Sequence, residues 1–264
     1  MKKVTLLTAT VIAASFLGAQ SAQADETTYP VKAKSDATVI LEADDGTDGT
    51  ITGPGGGTDG GLGGEITPPD GGEGGEGGVV DPNQNSSLRL SLLTAFDFGT
   101  IKKSGNTESY LAKLPTPNYI DGGVSARPNF VQVTDNRGNL AGWNLTARIA
   151  EQFTNGETTL NGSVITLTNG WSQPLAADNA IYAPTVNTGS VVLGTEASAN
   201  IATAAKDKGM GTWNILYGTL HDAEKAMLGD AANSVKLTIP GNIKKTDGTY
   251  TAKVEWTLSD APAG

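Results

Sequence analysis

The sequence predicts an all-β fold, a single β-sandwich or barrel-like domain with few short helices. Three observations lead to this prediction. Short runs of alternating apolar and polar residues recur from residue 88 onward. Turn-forming triplets such as Asn136-Arg137-Gly138 and Thr246-Asp247-Gly248 separate these runs, as is typical of sandwiches and barrels. No long amphipathic helical pattern occurs, which argues against a mainly helical domain.

The predicted strands follow one another through about 175 residues, a normal size for one domain. In chain order they cover residues 88–92, 130–133, 143–149, 163–167, 213–217, 235–239 and 250–258. Residues 197–208 and 221–229 contain helix formers, and we interpret each as a short helix or a loop. The prolines of Leu114-Pro115-Thr116-Pro117 predict a loop.

The first 24 residues have the features of an export signal. Two lysines precede a mostly apolar run, residues 4–18, which is too short to span a bilayer comfortably. Ala22-Gln23-Ala24 has the small-x-small pattern of a cleavage site. We expect a secretory signal peptide over residues 1–24, with a retained membrane anchor as the alternative. Because the chain has no cysteine for a lipid and no recognisable sortase signal, we expect the secreted protein to need non-covalent contacts to stay on a surface.

Residues 44–87 are expected to be a disordered Gly/acidic linker, because Gly, Asp, Glu, Thr and Pro dominate and apolar side chains are few. The preceding segment, residues 25–43, contains one predicted strand, in which Val39 and Leu41 share a face that we expect to pack on the β domain. Residues 25–88 carry 13 acidic residues against two lysines, whereas residues 89–264 carry 15 against 14 basic residues. The acidity thus belongs to the linker region, and the domain, residues 88–264, shows no basic patch that indicates nucleic acid.

Catalysis is not expected from this composition. There is no cysteine, and His221 is the only histidine, so multi-histidine metal sites are excluded and a serine triad has one possible base. A glycosidase needs only two carboxylates, for which Asp97, Asp135, Glu151 and Glu255 are available, but the sequence does not pair them. The Asp-rich stretch at residues 44–49 lacks the ligand pattern of a calcium loop. We therefore expect no metal and no cofactor.

Two Trp-x-Leu triplets, Trp143-Asn144-Leu145 and Trp256-Thr257-Leu258, stand out from the strand pattern. Residues i and i+2 of a strand share a face. Trp143 and Leu145 therefore lie on the apolar face of one predicted strand, and Trp256 and Leu258 lie on that of another. This pattern favours a core position for both indoles, while a partly buried position at the floor of a groove stays open.

The surroundings of these triplets resemble the WxL domain, a cell-surface module of Gram-positive bacteria. The distal motif is Tyr250-x-x-x-Val254-x-Trp256-x-Leu258-x-x-x-Pro262, and the proximal triplet follows Asp135, Arg137 and Gly142. Phe98-Gly99 and the stretch from Gly209 to Trp213 also agree with the family. Glu255 replaces the threonine that often precedes the distal tryptophan, and the spacer is rich in glycine rather than proline.

The resemblance implies non-covalent attachment to the cell wall, with peptidoglycan as the ligand and with both triplets required. It therefore implies binding roles for Trp143, Leu145, Trp256 and Leu258. It also implies partner surface proteins, including a WxL-interacting protein. The alternative function is a structural or adhesive subunit that assembles by donating a strand or with such a partner.

Overall fold

The computed structural model describes residues 86–115, 126–220 and 229–260. Within these ranges the chain forms twelve β-strands and two short 3-10 helices, Ala177–Tyr182 and Ala231–Asn233, which confirms the all-β prediction. The strands are β1 (Leu88–Leu93), β2 (Glu108–Leu111), β3 (Asn129–Asp135), β4 (Trp143–Thr154), β5 (Val164–Leu167), β6 (Gly170–Pro174), β7 (Thr185–Val186), β8 (Val191–Leu193), β9 (Ala199–Ala204), β10 (Gly211–Tyr217), β11 (Val235–Ile239) and β12 (Thr251–Ser259).

These strands form three antiparallel sheets of four strands each. The first sheet has the order β1-β3-β10-β6, the second has the order β2-β11-β5-β8, and the third has the order β12-β4-β9-β7. Most neighbours in space are far apart in the chain. The hydrogen bonds that build each sheet are therefore mainly long-range, which is typical of all-β domains.

The three sheets share one hydrophobic core. The first sheet contributes Trp213 and Ile215, the second contributes Ile165 and Leu237, and the third contributes the side chains of β4. Along β4 the alternation seen in the sequence is realised, because Trp143, Leu145, Ala147 and Ile149 are all buried while their neighbours are more exposed. Period-two alternation thus predicted the buried face of this strand correctly.

All seven predicted strands are present, as β1, β3, β4, β5, β10, β11 and β12. The interpretation of residues 197–208 as a short helix or loop was wrong, because Ala199–Ala204 forms β9 between β4 and β7. Alanine favours helices locally, but two flanking strands supply the hydrogen bonds, and Ile201, Ala202 and Ala204 are buried. Sheet context overrides such a local preference.

Several predictions lie outside the described residues: the signal peptide, the strand with Val39 and Leu41, the linker, Pro262, and His221 with most of residues 221–229. Pro115 lies in an irregular stretch, as expected for a proline-containing loop. No helix in the described part of the chain is both long enough and apolar enough to cross a membrane.

Candidate functional site

The two Trp-x-Leu triplets lie on neighbouring strands of the third sheet. β12 pairs with β4, and Leu258 lies directly opposite Leu145. Trp256 lies opposite Ala147, which is two residues after Leu145 on β4. Trp143 is two residues before Leu145 on the same strand. The two tryptophans are therefore roughly 14 Å apart along the strands, at about 3.4 Å per residue. Side chains of directly opposite residues on paired strands pack side by side. The Trp256 indole therefore lies beside the small side chain of Ala147.

Trp143 is a core residue. Its side chain is 0% exposed, and its Nε1 donates a hydrogen bond to the carbonyl of Gly209 at 3.1 Å. The amide of Gly209 in turn donates to the carbonyl of Tyr182 at 2.7 Å. Gly209 has a φ of +82°, and a Cβ at this position would overlap the indole nitrogen. Trp143 thus fixes the turn before β10, and with Leu145 also fully buried, neither side chain contacts solvent.

Asp135, Arg137 and Gly142, which precede Trp143 in the proximal motif, are joined by hydrogen bonds. We call these three residues the clamp. Arg137 donates from Nε to Asp135 Oδ1 at 2.9 Å and from Nη2 to Oδ2 at 2.8 Å. Nη2 also donates to the Gly142 carbonyl at 2.7 Å. The side chains of Arg137 and Asp135 are only 14% and 3% exposed, and this pairing raises the pKa of the Arg137 guanidinium. Gly142 has a φ of +83°, and a Cβ there would overlap the Ala204 carbonyl. The clamp therefore sets where β4 begins.

Trp256 has a different environment, because β12 is an edge strand. β12 pairs with β4 on one side and with none of the described strands on the other. Its inward face, which carries Val254, Trp256 and Leu258, packs on the core but stays partly exposed. The Trp256 ring lies 6.5 Å from the Phe96 ring, centroid to centroid, at an angle of 60°. Trp256 is thus the indole of the two triplets that an external ligand can reach.

An apolar groove of about 390 Å³ runs along this face of β12. We call it the aromatic groove, and its lining includes Phe96, Phe98, Phe153, Tyr250, Val254 and Trp256. Its volume lies within the range of about 300–1,000 Å³ that is usual for small-molecule sites. Of the distal motif residues, Tyr250, Val254 and Trp256 therefore meet in one site, while Leu258 pairs with Leu145 beside it.

The sequence singled out Phe98 through its agreement with the family, but it did not place Phe96, Phe98 and Phe153 together in one groove. Phe96 and Phe98 follow β1 in a stretch without regular structure, and Phe153 lies at the far end of β4. Phe98 packs edge-on against Phe153, with ring centroids 6.2 Å apart. The alternation in Ala95-Phe96-Asp97-Phe98 gave a local signal that the two rings share a side. Their approach to β12 depends on tertiary folding.

The four carboxylates that the sequence offered for catalysis each lie in an ion pair. Asp135 binds Arg137, and Asp97 binds Lys113 at 2.7 Å. Glu255 binds Arg148 at 2.9 Å across β12 and β4, and Glu151 lies 3.7 Å from Lys253. The hydrogen bond from Lys113 is the main cause that lowers the pKa of Asp97. Among the described residues no group of three or more His, Cys, Asp or Glu side chains could hold a metal ion.

The fold is thus an all-β domain with an apolar groove that is lined largely by aromatic residues. The family model described as "WxL domain surface cell wall-binding" matches residues 25–262. This chain therefore belongs to the WxL family of surface cell-wall-binding proteins, as the sequence resemblance had indicated. Comparison with curated proteins and with solved structures gave no match.

Proposed function

We propose that this protein attaches non-covalently to the bacterial cell wall by binding peptidoglycan in the aromatic groove. The observation that carries the proposal is the exposure of Trp256 beside Phe96, Phe98 and Tyr250 in a groove of suitable size. Aromatic rings present flat apolar faces, which suit the apolar faces of sugar rings. Because Trp256 lies on a strand, its position is more precise than that of a side chain on a loop.

The two triplets then have different tasks in this proposal. Trp256 contacts the glycan, whereas Trp143 and Leu145 hold the sheet that presents it. The buried Trp143 fixes β4 through Gly209, and Leu145 supports Leu258 from the neighbouring strand. Loss of either triplet would abolish attachment, but the loss of the proximal triplet would act through the fold.

Trp256→Phe tests this assignment. The smaller ring keeps the apolar character of β12, so we expect the chain of residues 25–264 to stay folded. The lost contact with the sugar should weaken binding to purified cell walls about two- to tenfold, as expected for one aromatic contact. The matched control is Trp171→Phe, because Trp171 is also partly exposed but packs with Leu92, Phe130 and Leu216 away from the groove.

The measurements are circular dichroism and wall pull-down on the same samples, with and without teichoic acids on the walls. Trp143→Phe and Trp143→Ala complete the set and should lower the stability, with binding lost only in proportion to unfolding. If the folded Trp256→Phe variant binds like wild type, the aromatic groove is not the attachment site.

A second candidate function is assembly by strand addition, which the open edge of β12 favours. Nine residues, Thr251–Ser259, form this edge, and none of the described strands pairs with its outer side. Unpaired edges are templates for strands from other chains, and in this candidate a second copy or a WxL-interacting protein supplies the strand. The test is the mass in solution. A chain that is monomeric at high concentration, alone and with the partner, would contradict this candidate.

A further inference from the structure

A second depression, of about 260 Å³, lies beside the aromatic groove. Tyr250 lines both, so the two sites adjoin at this ring. We call the second depression the lysine pocket, because Lys102, Lys103 and Lys245 line it together with the single acidic residue Asp247. The pocket lining therefore has three basic residues and one acidic residue. Residues 89–264 as a whole are nearly neutral, with 15 acidic and 14 basic residues.

Lys245 is positioned by the backbone and not by an acid. Its Nζ donates to the carbonyls of Pro240 at 2.7 Å and Gly241 at 3.1 Å. Among the described residues no carboxylate forms an ion pair with it. An ammonium has three donors, so one donor is left for a ligand. The charge of Lys245 is therefore held in place without being neutralised.

The two loops that form the pocket are tied together. Lys103 forms an ion pair with Asp247 at 2.8 Å, which lowers the pKa of Asp247. Tyr250 OH accepts a hydrogen bond from the Thr246 amide at 3.0 Å and donates to the Thr246 carbonyl at 3.2 Å. Lys103 is paired with Asp247, and Glu108, which accepts a hydrogen bond from the neutral Ser104 side chain, remains an anion close to the pocket. Among the described residues, Lys102 and Lys245 are the lysines of this pocket that no carboxylate pairs with, so they supply the charge for a ligand.

We propose that the lysine pocket binds an anionic group of the wall polymer, a carboxylate or a phosphodiester, while the adjoining aromatic groove binds the sugar. This assignment rests on the proposed function. Lysine presents a compact point charge, which suits both anions. Residues 89–264 are nearly neutral, with 15 acidic and 14 basic residues, so a locally positive face on the domain favours its approach to a polyanionic wall.

The first experiment measures binding of residues 25–264 to purified walls over a range of sodium chloride concentrations. The double variant Lys102→Gln, Lys245→Gln should bind walls more weakly, by about two- to fivefold for each lysine, as for exposed ion pairs. Its affinity for walls should also depend less on the salt concentration than that of wild type. The control, Lys206→Gln with Lys236→Gln, makes the same change in net charge elsewhere on the domain. Lys102→Glu is a second variant, because exposed Lys102 can be reversed in charge without loss of the fold.

The source of the anion is found by treating the walls. If the effect of the lysine variants disappears on walls stripped of phosphate polymers, the ligand is a phosphodiester. If it disappears on walls with amidated carboxylates, the ligand is a carboxylate of peptidoglycan. Either result supports the pocket. Equal losses in the control variant, or wild-type binding by both pocket variants, would overturn it.

A second experiment separates this inference from the proposed function. Inorganic phosphate and acetate are titrated into the labelled protein without walls, and the backbone amide shifts of Lys245, Thr246 and Gly248 are followed by NMR. We expect saturable shifts that the Lys102→Gln, Lys245→Gln variant loses. Shifts without wall binding would refute the proposed function alone, whereas wall binding without these shifts would refute the lysine pocket alone.

Discussion

Gly209→Ala tests whether the packing around Trp143 holds the domain together. Gly209 lies at a φ of +82°, where an L-residue is strained, and a Cβ would overlap both the Trp143 indole nitrogen and the Ala204 side chain. The substitution leaves the aromatic groove and both triplets unchanged in sequence. Any loss of wall binding would therefore have to come through the fold.

Two costs add for this substitution. The left-handed backbone costs about 1–2 kcal/mol for a residue other than glycine, and overpacking of a well-filled core costs about 1–3 kcal/mol. We therefore expect the free energy of unfolding to fall by about 2–5 kcal/mol. Gly138→Ala is the matched control, because Gly138 has a φ of +70° with nothing near its Cβ position. Gly138→Ala should lower the free energy of unfolding only by the backbone contribution of about 1–2 kcal/mol.

The assay is urea unfolding of four variants. They are Gly209→Ala, Gly138→Ala, Trp143→Phe, and the double variant that combines Trp143→Phe with Gly209→Ala. Trp143→Phe removes the indole nitrogen that the new methyl group meets, so the double variant should be more stable than the sum of the single effects predicts. If the two effects add, or if Gly209→Ala costs no more than Gly138→Ala, close contact between Trp143 and Gly209 does not stabilise the domain.

Four further predictions concern other parts of the chain. Asp135→Asn should lower the free energy of unfolding by about 2–4 kcal/mol in a urea titration, because it leaves the largely buried Arg137 without its counter-charge. Asp97→Asn should lower the melting temperature slightly at pH 7, and this difference from wild type should shrink as the pH falls below about 3.9. The pKa of Asp97 is lowered in the fold, so its stabilisation is present above the unfolded pKa of about 3.9 and is lost as the pH falls through the folded value. Deleting residues 25–43 should lower the melting temperature by several degrees if Val39 and Leu41 pack on the domain, and an unchanged value would rule that out. Amides of residues 44–87 should exchange at unprotected rates in a hydrogen-exchange experiment, and protection equal to that of β4 would contradict a disordered linker.

The sequence predicted the strands with clear apolar alternation, from the long β4 and β12 to the four-residue β5. It missed β2, β6, β7 and β8, which have two to five residues each. These strands carry too few apolar positions for a periodic signal, and longer neighbours hold them in place through hydrogen bonds. β9 was missed for another reason, because its alanines favour a helix locally until β4 and β7 pair with it on either side.

The candidate site was predictable in part. The motif context pointed to Tyr250, Val254 and Trp256, which the structure brings together, and to Asp135, Arg137 and Gly142, which form the clamp. Alternation alone could not distinguish Trp143 from Trp256, because both lie on inward faces. Their different exposure arises from the order of strands in the third sheet, in which β4 is flanked on both sides and β12 is at an edge.

The pairing of β12 with β4 also bears on the order in which the domain folds. The partners Leu258 and Leu145 are more than 100 residues apart in the chain, and such distant pairing slows folding. Until β12 is in place, the edge of β4 that pairs with it has no partner among the described strands. The third sheet, and with it the aromatic groove, is therefore complete only once Thr251–Ser259 has paired with β4.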